Sequence, residues 1–418
     1  DLVRRALEFE GYEVLQVLNI TDVGHMVDDS SEGAVDRMEL AMGDEGLGPW
    51  EIAAKYTEMF LADTAAIGIK RAHVYPKATE HISEMLEMTR ALIDKGRAYA
   101  LDDGTVYYDV RSFDGYGKLS RNTLDNLVAG QRDDLETDER KRHHADFALW
   151  KRASGNRLMK WDSEFGEGFP GWHIECSAMS VKYLGDRFDI HTGGTDLVFP
   201  HHEDEIAQSD AAAGHQVVGL WVHGGHLLAE GQKMSKSTGN VFLLNDLVGR
   251  GFDPLAFRLL CFQTRYRSTL DFRWDAMDAA HRKVVQIRQR MAEWQLASRD
   301  GQSSEAKELD ARFREAVSDD LDMPRAVAAL NEAVSAEIPD GDKYELISSW
   351  DAVLGLDLER IAREGFDVPE EVQALVAERD SARGSRDYAR SDEIRDRLTE
   401  MGWEVMDTSS GTQVRPLA

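Results

Sequence analysis

A chain of 418 residues is long enough for two or three separately packed domains, and 42% hydrophobic with 30% charged residues is an ordinary soluble composition. No apolar run approaches the 18 or so residues of a membrane-spanning helix, so no membrane partner is expected. With 77 acidic against 49 basic residues the formal net charge is -28, which excludes a broad basic surface for nucleic acid.

A local basic patch remains. Residues 241–300 hold ten Lys and Arg against seven Asp and Glu, a net of +3, although a solvated helix face explains such a patch about as well. Cys176 and Cys261 are the only cysteines, so no disulfide framework is expected and a reducing cytoplasm is the natural location.

In chain order, Leu2 to Glu10 reads as an amphipathic helix stopped by Gly11, and Tyr12 to Asn19 as a strand, the second half of a βαβ unit whose first strand is absent. The chain is therefore expected to start inside a domain. Asn19-Ile20-Thr21-Asp22 puts polar groups at a strand's carboxyl end, where α/β sheets place ligands. Helices are predicted over Trp50 to Ile67 and Thr79 to Lys95, then a hairpin over 99–110 around an Asp-Gly turn. Phe147 to Trp150 and Phe188 to Ile190 are short apolar strands, each followed by polar or glycine-rich sequence in the manner of βα loops. Beyond Pro254 the pattern is helical to about Leu356. Glu370 to Arg383 and Tyr388 to Met401 form a further helix pair, and 403–406 with 412–415 pair as a terminal hairpin. If the first helix of that pair continues through Gly384, Arg379, Arg383, Arg386 and Arg390 share one side.

Two stretches carry the chemistry. From Gly171 to Glu205, a thiol at Cys176 lies 25 positions before an imidazole at His201, and the Glu205 carboxylate follows one helical turn later. Thiolate, imidazole and carboxylate are a ligand set zinc takes. Between them Gly193 and Gly194 end a strand, where a missing side chain lets a ligand approach the backbone. The second stretch, Lys233-Met234-Ser235-Lys236-Ser237, puts two lysines on a Ser/Gly loop, able to reach ATP phosphates and neutralise charge as pyrophosphate leaves. The bland alternative is a solvated linker. This pentapeptide is the KMSKS signature of class I aminoacyl-tRNA synthetases.

With it, Gly171-Trp172-His173-Ile174-Glu175-Cys176-Ser177-Ala178-Met179-Ser180 and Phe199 to Ser209 closely resemble the corresponding segments of cysteinyl-tRNA synthetases. The resemblance extends to residues 19–22, 146–151 and 377–398, in the family's order. It implies an α/β fold: a Rossmann-like class I catalytic core over 1–265 with a connective insertion at about 70–145, an all-helical tRNA-binding domain over 266–360, and a small C-terminal α/β anticodon-binding module over 365–418. It implies that Cys176, His201 and Glu205 hold one Zn2+ that takes the substrate thiolate directly, and that Thr21 and Trp172 line the cysteine pocket. His191, Gly193, Gly194, Asp196 and Lys236 would bind ATP, with Mg2+, and Lys233 and Lys236 would act in catalysis. The implied reaction is ATP-dependent ligation of L-cysteine to tRNA(Cys) by a monomer through a cysteinyl-adenylate. His25, His173 and His202 receive no role, as a lone His is more often structural or exposed.

The family's His-Ile-Gly-His type signature and its fourth zinc ligand, a cysteine, do not occur here. Both belong to the absent first strand, so an N-terminally shortened sequence with weakened zinc affinity and crippled ATP positioning is the expectation. Two other readings are a cysteine-activating ligase acting on a small amine, and a noncatalytic tRNA-binding paralogue. The first lacks the C-terminal module that 377–415 supplies, and the second has no physical need for intact KMSKS and metal ligands.

Overall fold

The computed structural model describes residues 1–24, 41–43, 45–122, 124, 138–153, 157–234, 239–298, 301–364, 368–408 and 411–416. The chain divides into two compact units, chiefly residues 3–244 with 264–272, and 245–263 with 273–418. No helix among the described residues is long and apolar enough to cross a membrane.

In the first unit, helix α1 (Leu2–Phe9) gives way at Gly11, whose φ of +89° favours a residue without a side chain. The expected strand over 12–19 forms only two parallel bridges, Val17 to Val74 and Ile20 to Lys77. Pro76 in the neighbouring segment has no N–H to donate, so a regular ladder cannot continue there. Helix α2 (Pro49–Ala66) starts on a proline, and Glu51 accepts the Gly48 N–H at 2.8 Å. After α3 (Ile82–Asp94) come β1 (Ala98–Ala100) and β2 (Val106–Tyr108).

Strand β3 (Phe147–Arg152) does not enter a parallel sheet, as its βα-like surroundings suggested. It pairs antiparallel with β2 and with β4 (Gly168–Pro170), giving one sheet in the order β1-β2-β3-β4. Tyr108 stacks on Phe147 with centroids 4.9 Å apart, and Leu149, Trp150, Ile174 and Met179 are buried behind them. Each such aliphatic side chain contributes roughly 1.5–3 kcal/mol by leaving water.

Helix α4 (Trp172–Leu184) follows directly. Next come β5 (Phe188–Gly194), α5 (Glu203–Ala213) and β6 (Val218–Gly224), a βαβ unit in which β5 and β6 pair in parallel from Phe188–Val218 to Gly194–Gly224. A smaller sheet orders β8 (Gln232–Lys233), β7 (Leu227–Ala229) and β9 (Leu270–Phe272).

The second unit is helical: α6 (Leu244–Gly249), α7 (Pro254–Cys261), α8 (Trp274–Trp294), α9 (Ser304–Ser318), α10 (Met323–Ser335), α11 (Asp340–Leu354) and α12 (Arg360–Glu364). Asp253, Ser303 and Asp322 cap α7, α9 and α10 through side-chain oxygens that accept backbone N–H groups. Helices α13 (Glu370–Gly384) and α14 (Tyr388–Glu400) then pack on the hairpin β10 (Trp403–Thr408) and β11 (Gly411–Pro416), around Val372, Leu375, Ile394, Leu398 and Trp403.

The arginine row does not form. Helix α13 stops at Gly384 and Arg386 takes a φ of +62°. Arg379 is fully buried, donating to Asp407 Oδ1 at 2.7 Å and Thr412 Oγ1 at 2.6 Å. Arg379 first, and Arg383 with it, lower the Asp407 carboxyl to about 2. Arg390 turns to Glu378 and Glu393, at 2.7 and 2.6 Å.

Candidate metal centre and active site

Three elements deliver the site. Helix α4 begins at Gly171, immediately after β4, and carries Trp172, His173 and Cys176 on its first turns. A kinked stretch, Val198–His202, with Phe199 extended, presents His201 and His202 and runs into α5, whose first three residues, Glu203, Asp204 and Glu205, are all buried. Carboxylates in a first helical turn are favoured by the helix dipole. Ser177 donates to Gln208 Oε1 at 2.7 Å, tying α4 to α5 so that Cys176 faces Glu205.

The Cys176 sulfur, a His201 ring nitrogen and a Glu205 oxygen lie within 4.8 Å of one another, and all three residues are buried. His201 Nε2 is 3.1 Å from Glu205 Oε1, and Asn19 Nδ2 donates to Cys176 Sγ at 3.3 Å. Among the described residues, no aligned hydrogen-bond donor meets the buried Glu205 Oε1, despite the nearby imidazole. A buried oxygen in want of a partner, beside a sulfur and a nitrogen, fits a borderline-soft cation better than a hydrogen bond. These residues suit zinc.

Electrostatics support the same assignment. Burial pushes the Cys176 thiol well up, as do Glu205 and Glu175, while Asn19 opposes. A thiolate there therefore needs a cation. Burial also favours a neutral Glu205, but His191 and His201 outweigh it and hold the carboxyl below its ordinary value.

His191 on β5 has its Nε2 3.8 Å from Glu205 Oε1, and His191, His202 and Glu205 form a second trio of donor atoms within 4.8 Å. Trp221 stacks on His191 at 4.5 Å and lies 4.8 Å from His202. A Cβ on Gly193 would stand 2.4 Å from His202 Cε1, so glycine is what admits the imidazole under the β5 end. A Cβ on Gly194 would sit 2.2 Å from Asp196 Oδ1, in the 3-10 turn Thr195–Leu197.

Trp172, 42% exposed, lays its ring 4.3 Å from that of His201. Thr21 is exposed, and its Oγ1 accepts from the same Asn19 amide at 3.4 Å. Lys233 is exposed on β8, in a different sheet from His191, Gly193 and Gly194. Lys236 and His25 lie outside the described residues. Residues with no role assigned from sequence also join the site: His173 Nδ1 is 2.8 Å from His201 Nδ1, and His202 Nδ1 is 2.8 Å from His223 Nε2.

Burial first, and the neighbouring histidines against Glu205, push His202 down to about 3. An imidazole in the unfolded chain takes its proton near 6.5. Between those values the unfolded state binds the extra proton, so stability falls as pH drops from about 6.5 towards 3, by about 1.4 kcal/mol per unit from His202 alone. Urea titrations of chelator-treated protein should show a lower midpoint at pH 5.5 than at pH 7. His202→Gln should narrow that gap; an unchanged gap removes His202 as its source.

Comparison with known proteins agrees. Residues 1–282 match the model of the tRNA synthetases class I (C) catalytic domain, and residues 366–415 that of the cysteinyl-tRNA ligase anticodon binding domain. The cysteine–tRNA ligase 1 of Burkholderia lata is 44% identical, over 100% of this chain and 87% of that protein. A cysteine–tRNA ligase of Thermus thermophilus is 43% identical, over 99% of this chain and 89% of that protein. A solved Mycobacterium tuberculosis methionyl-tRNA synthetase in complex with methionyl-adenylate shares the fold, with a TM-score of 0.56, 13% identity and 86% coverage of each chain. The chain belongs to the cysteinyl-tRNA synthetases, the cysteine–tRNA ligases among the class I aminoacyl-tRNA synthetases.

Proposed function

We propose that the chain joins L-cysteine to its tRNA in two steps through a cysteinyl-adenylate, and that cysteine is chosen at a zinc ion held by Cys176, His201 and Glu205. The observation that carries this reading is the buried trio of sulfur, nitrogen and oxygen donors within 4.8 Å. Zinc bound there would supply a Lewis acid that takes the side-chain thiolate of cysteine, a bond unavailable to serine. Packing alone separates two side chains differing by one atom by only about 1–3 kcal/mol.

Thr21 and Trp172 line the cysteine side of the pocket. His191, Gly193, Gly194, Asp196 and Lys236 hold ATP, whose phosphates also carry Mg2+. A carboxylate oxygen of cysteine attacks the α-phosphorus, and the bond to the β-phosphate oxygen breaks as pyrophosphate leaves. Lys233 and Lys236 stabilise the charge that builds on it. No protein nucleophile is required, so the chain's contribution is positioning and electrostatics. A terminal ribose hydroxyl of tRNA then attacks the adenylate carbonyl and AMP departs. Catalysis is assigned to residues 1–265, with tRNA contacts from 266–360 and 365–418 on a monomer.

Cysteine-dependent exchange of labelled pyrophosphate into ATP, by the chain carrying the family's N-terminal signature, is the test. Exchange with cysteine is expected to exceed that with serine by at least about 10^3-fold, beyond the reach of packing. It should be lost with a chelator and restored by zinc. Equal exchange with the two amino acids would sink zinc-based selection, and no cysteine-dependent exchange would sink the adenylate route.

A further inference from the structure

His201 can serve as a metal ligand only if the nitrogen facing the cluster carries a lone pair. That nitrogen is Nε2, 3.1 Å from Glu205 Oε1, so the ring proton must reside on Nδ1. The other side of the ring meets a chain of polar groups. His201 Nδ1 is 2.8 Å from His173 Nδ1, and His173 Nε2 is 3.3 Å from Asp204 Oδ2. Tyr116, from the segment between β2 and β3, donates its hydroxyl to Asp204 Oδ1 at 2.5 Å. Tyr116 and Asp204 are buried, 88 residues apart in sequence.

The donors run in one direction. With His201 protonated on Nδ1, that N–H donates to His173 Nδ1, which leaves the His173 proton on Nε2, facing Asp204. Asp204 needs only to accept at Oδ2, which it does as a carboxylate with Tyr116 donating to Oδ1, or as an acid whose Oδ1 proton the Tyr116 oxygen accepts instead. The opposite polarity would place a proton on His201 Nε2 and block it as a ligand. Aromatic packing restrains the rings: Phe147 meets His173 edge-on at 5.7 Å, and Trp172 covers His201 at 4.3 Å.

We propose that Tyr116 and Asp204 are positioning residues that set, through His173, the tautomer and orientation of His201 for metal binding. This rests on the zinc reading of the Cys176, His201 and Glu205 cluster. It gives the inserted segment a part in metal affinity through Asp204 and His173, with no ligand of its own. Outer groups of this kind hold a ligating imidazole at the geometry its metal needs, and losing one costs about 10–100-fold in affinity.

Zinc affinity, measured on the whole chain by competition with a chromophoric chelator, tests this, alongside the absorption spectrum of the cobalt-loaded chain. Asp204→Leu should weaken zinc binding by about 10–100-fold and alter the cobalt spectrum. Tyr116→Phe, which removes one hydrogen bond, should weaken it by roughly fivefold. Asp204→Asn keeps an acceptor towards His173 and should stay within about twofold of the parent, as a purely electrostatic role would not allow. Parent-like zinc affinity in both Asp204→Leu and Tyr116→Phe overturns the proposal, as does a lowered unfolding midpoint with unchanged affinity. Should Asp204→Leu fail to fold, Tyr116→Phe decides alone. A parent chain that takes up no zinc overturns the metal reading itself, a result distinct from either.

Discussion

Replacing Cys176 by alanine is expected to lower cysteine-dependent pyrophosphate exchange by about 10^3-fold, or ~4 kcal/mol of transition-state stabilisation, while leaving the fold nearly intact. The thiol is buried and its hydrogen-bond donor among the described residues, Asn19, is partly exposed, so the smaller side chain leaves little void and strands no buried polar group. What is lost is the soft ligand. His201 and Glu205 remain, but two hard or borderline donors bind zinc far more weakly than a set containing thiolate. Cys176→Ser is the sharper version, because its hydroxyl still accepts from Asn19 and preserves the packing. In both variants the preference for cysteine over serine should fall to the roughly 10–200-fold that shape alone gives. Zinc content and exchange are measured on the same preparation. Exchange within fivefold of the parent in a zinc-free variant would show that the metal does not select the substrate.

The site was legible in the sequence where its residues lie close together or resemble a known segment. His201 and Glu205 are four apart, and their side chains meet as that spacing suggests, even though the chain is kinked at Phe199 just before α5. Cys176, 25 positions earlier, could be joined to them only through chemistry and resemblance. Tyr116 carries no such signal, and the resembling segments around Asn19 and Asp204 do not reveal their contacts, for a physical reason: these span 157 residues from Asn19 to Cys176 and 88 from Tyr116 to Asp204, and periodicity carries no information at that range. His202 received no role from the sequence, yet it lies beneath Gly193, whose missing Cβ was one available signal.

The fold shows the same division. Helices with clear apolar faces, such as α8 and the Asp322-capped α10, were readable from composition and spacing. Partnership was not. The run 147–150 looked like a strand of a βα unit because it is apolar and followed by polar sequence, but an unbroken apolar run arises equally in a covered antiparallel sheet. The arginine row depended on a helix crossing Gly384, and on Arg379 staying exposed. Asp407 and Thr412 instead draw that guanidinium inside, an arrangement visible only once the terminal hairpin is in place.

The hairpin sheet and the metal centre are joined at Gly171, and Gly171→Ala is expected to damage both. Its φ of -67° and ψ of 158° suit any residue, so the need for glycine is purely spatial. A Cβ there would lie 1.9 Å from the Ala148 carbonyl oxygen and 2.8 Å from its carbon, while Gly171 N–H already donates to Leu149 O at 3.0 Å. The obstacle is the β3 backbone, fixed on both sides by β2 and β4, and it cannot rotate away as a side-chain tip could. Overpacking costs about 1–3 kcal/mol, and the upper end applies because the neighbour is main chain. Relief must come from α4 withdrawing from β3, carrying Trp172, His173 and Cys176 with it. A displacement on the order of 1 Å is enough to cost about 10^2-fold in rate. The urea midpoint, zinc affinity and exchange should therefore fall together in Gly171→Ala. Gly194→Ala provides the contrast, since its Cβ meets only the Asp196 carboxylate, which can swing aside. There the urea midpoint and zinc affinity should hold while exchange falls through the displaced Asp196. Loss of zinc in Gly194→Ala, or its retention in Gly171→Ala, would break the link between the close approach at Gly171 and the placement of Cys176.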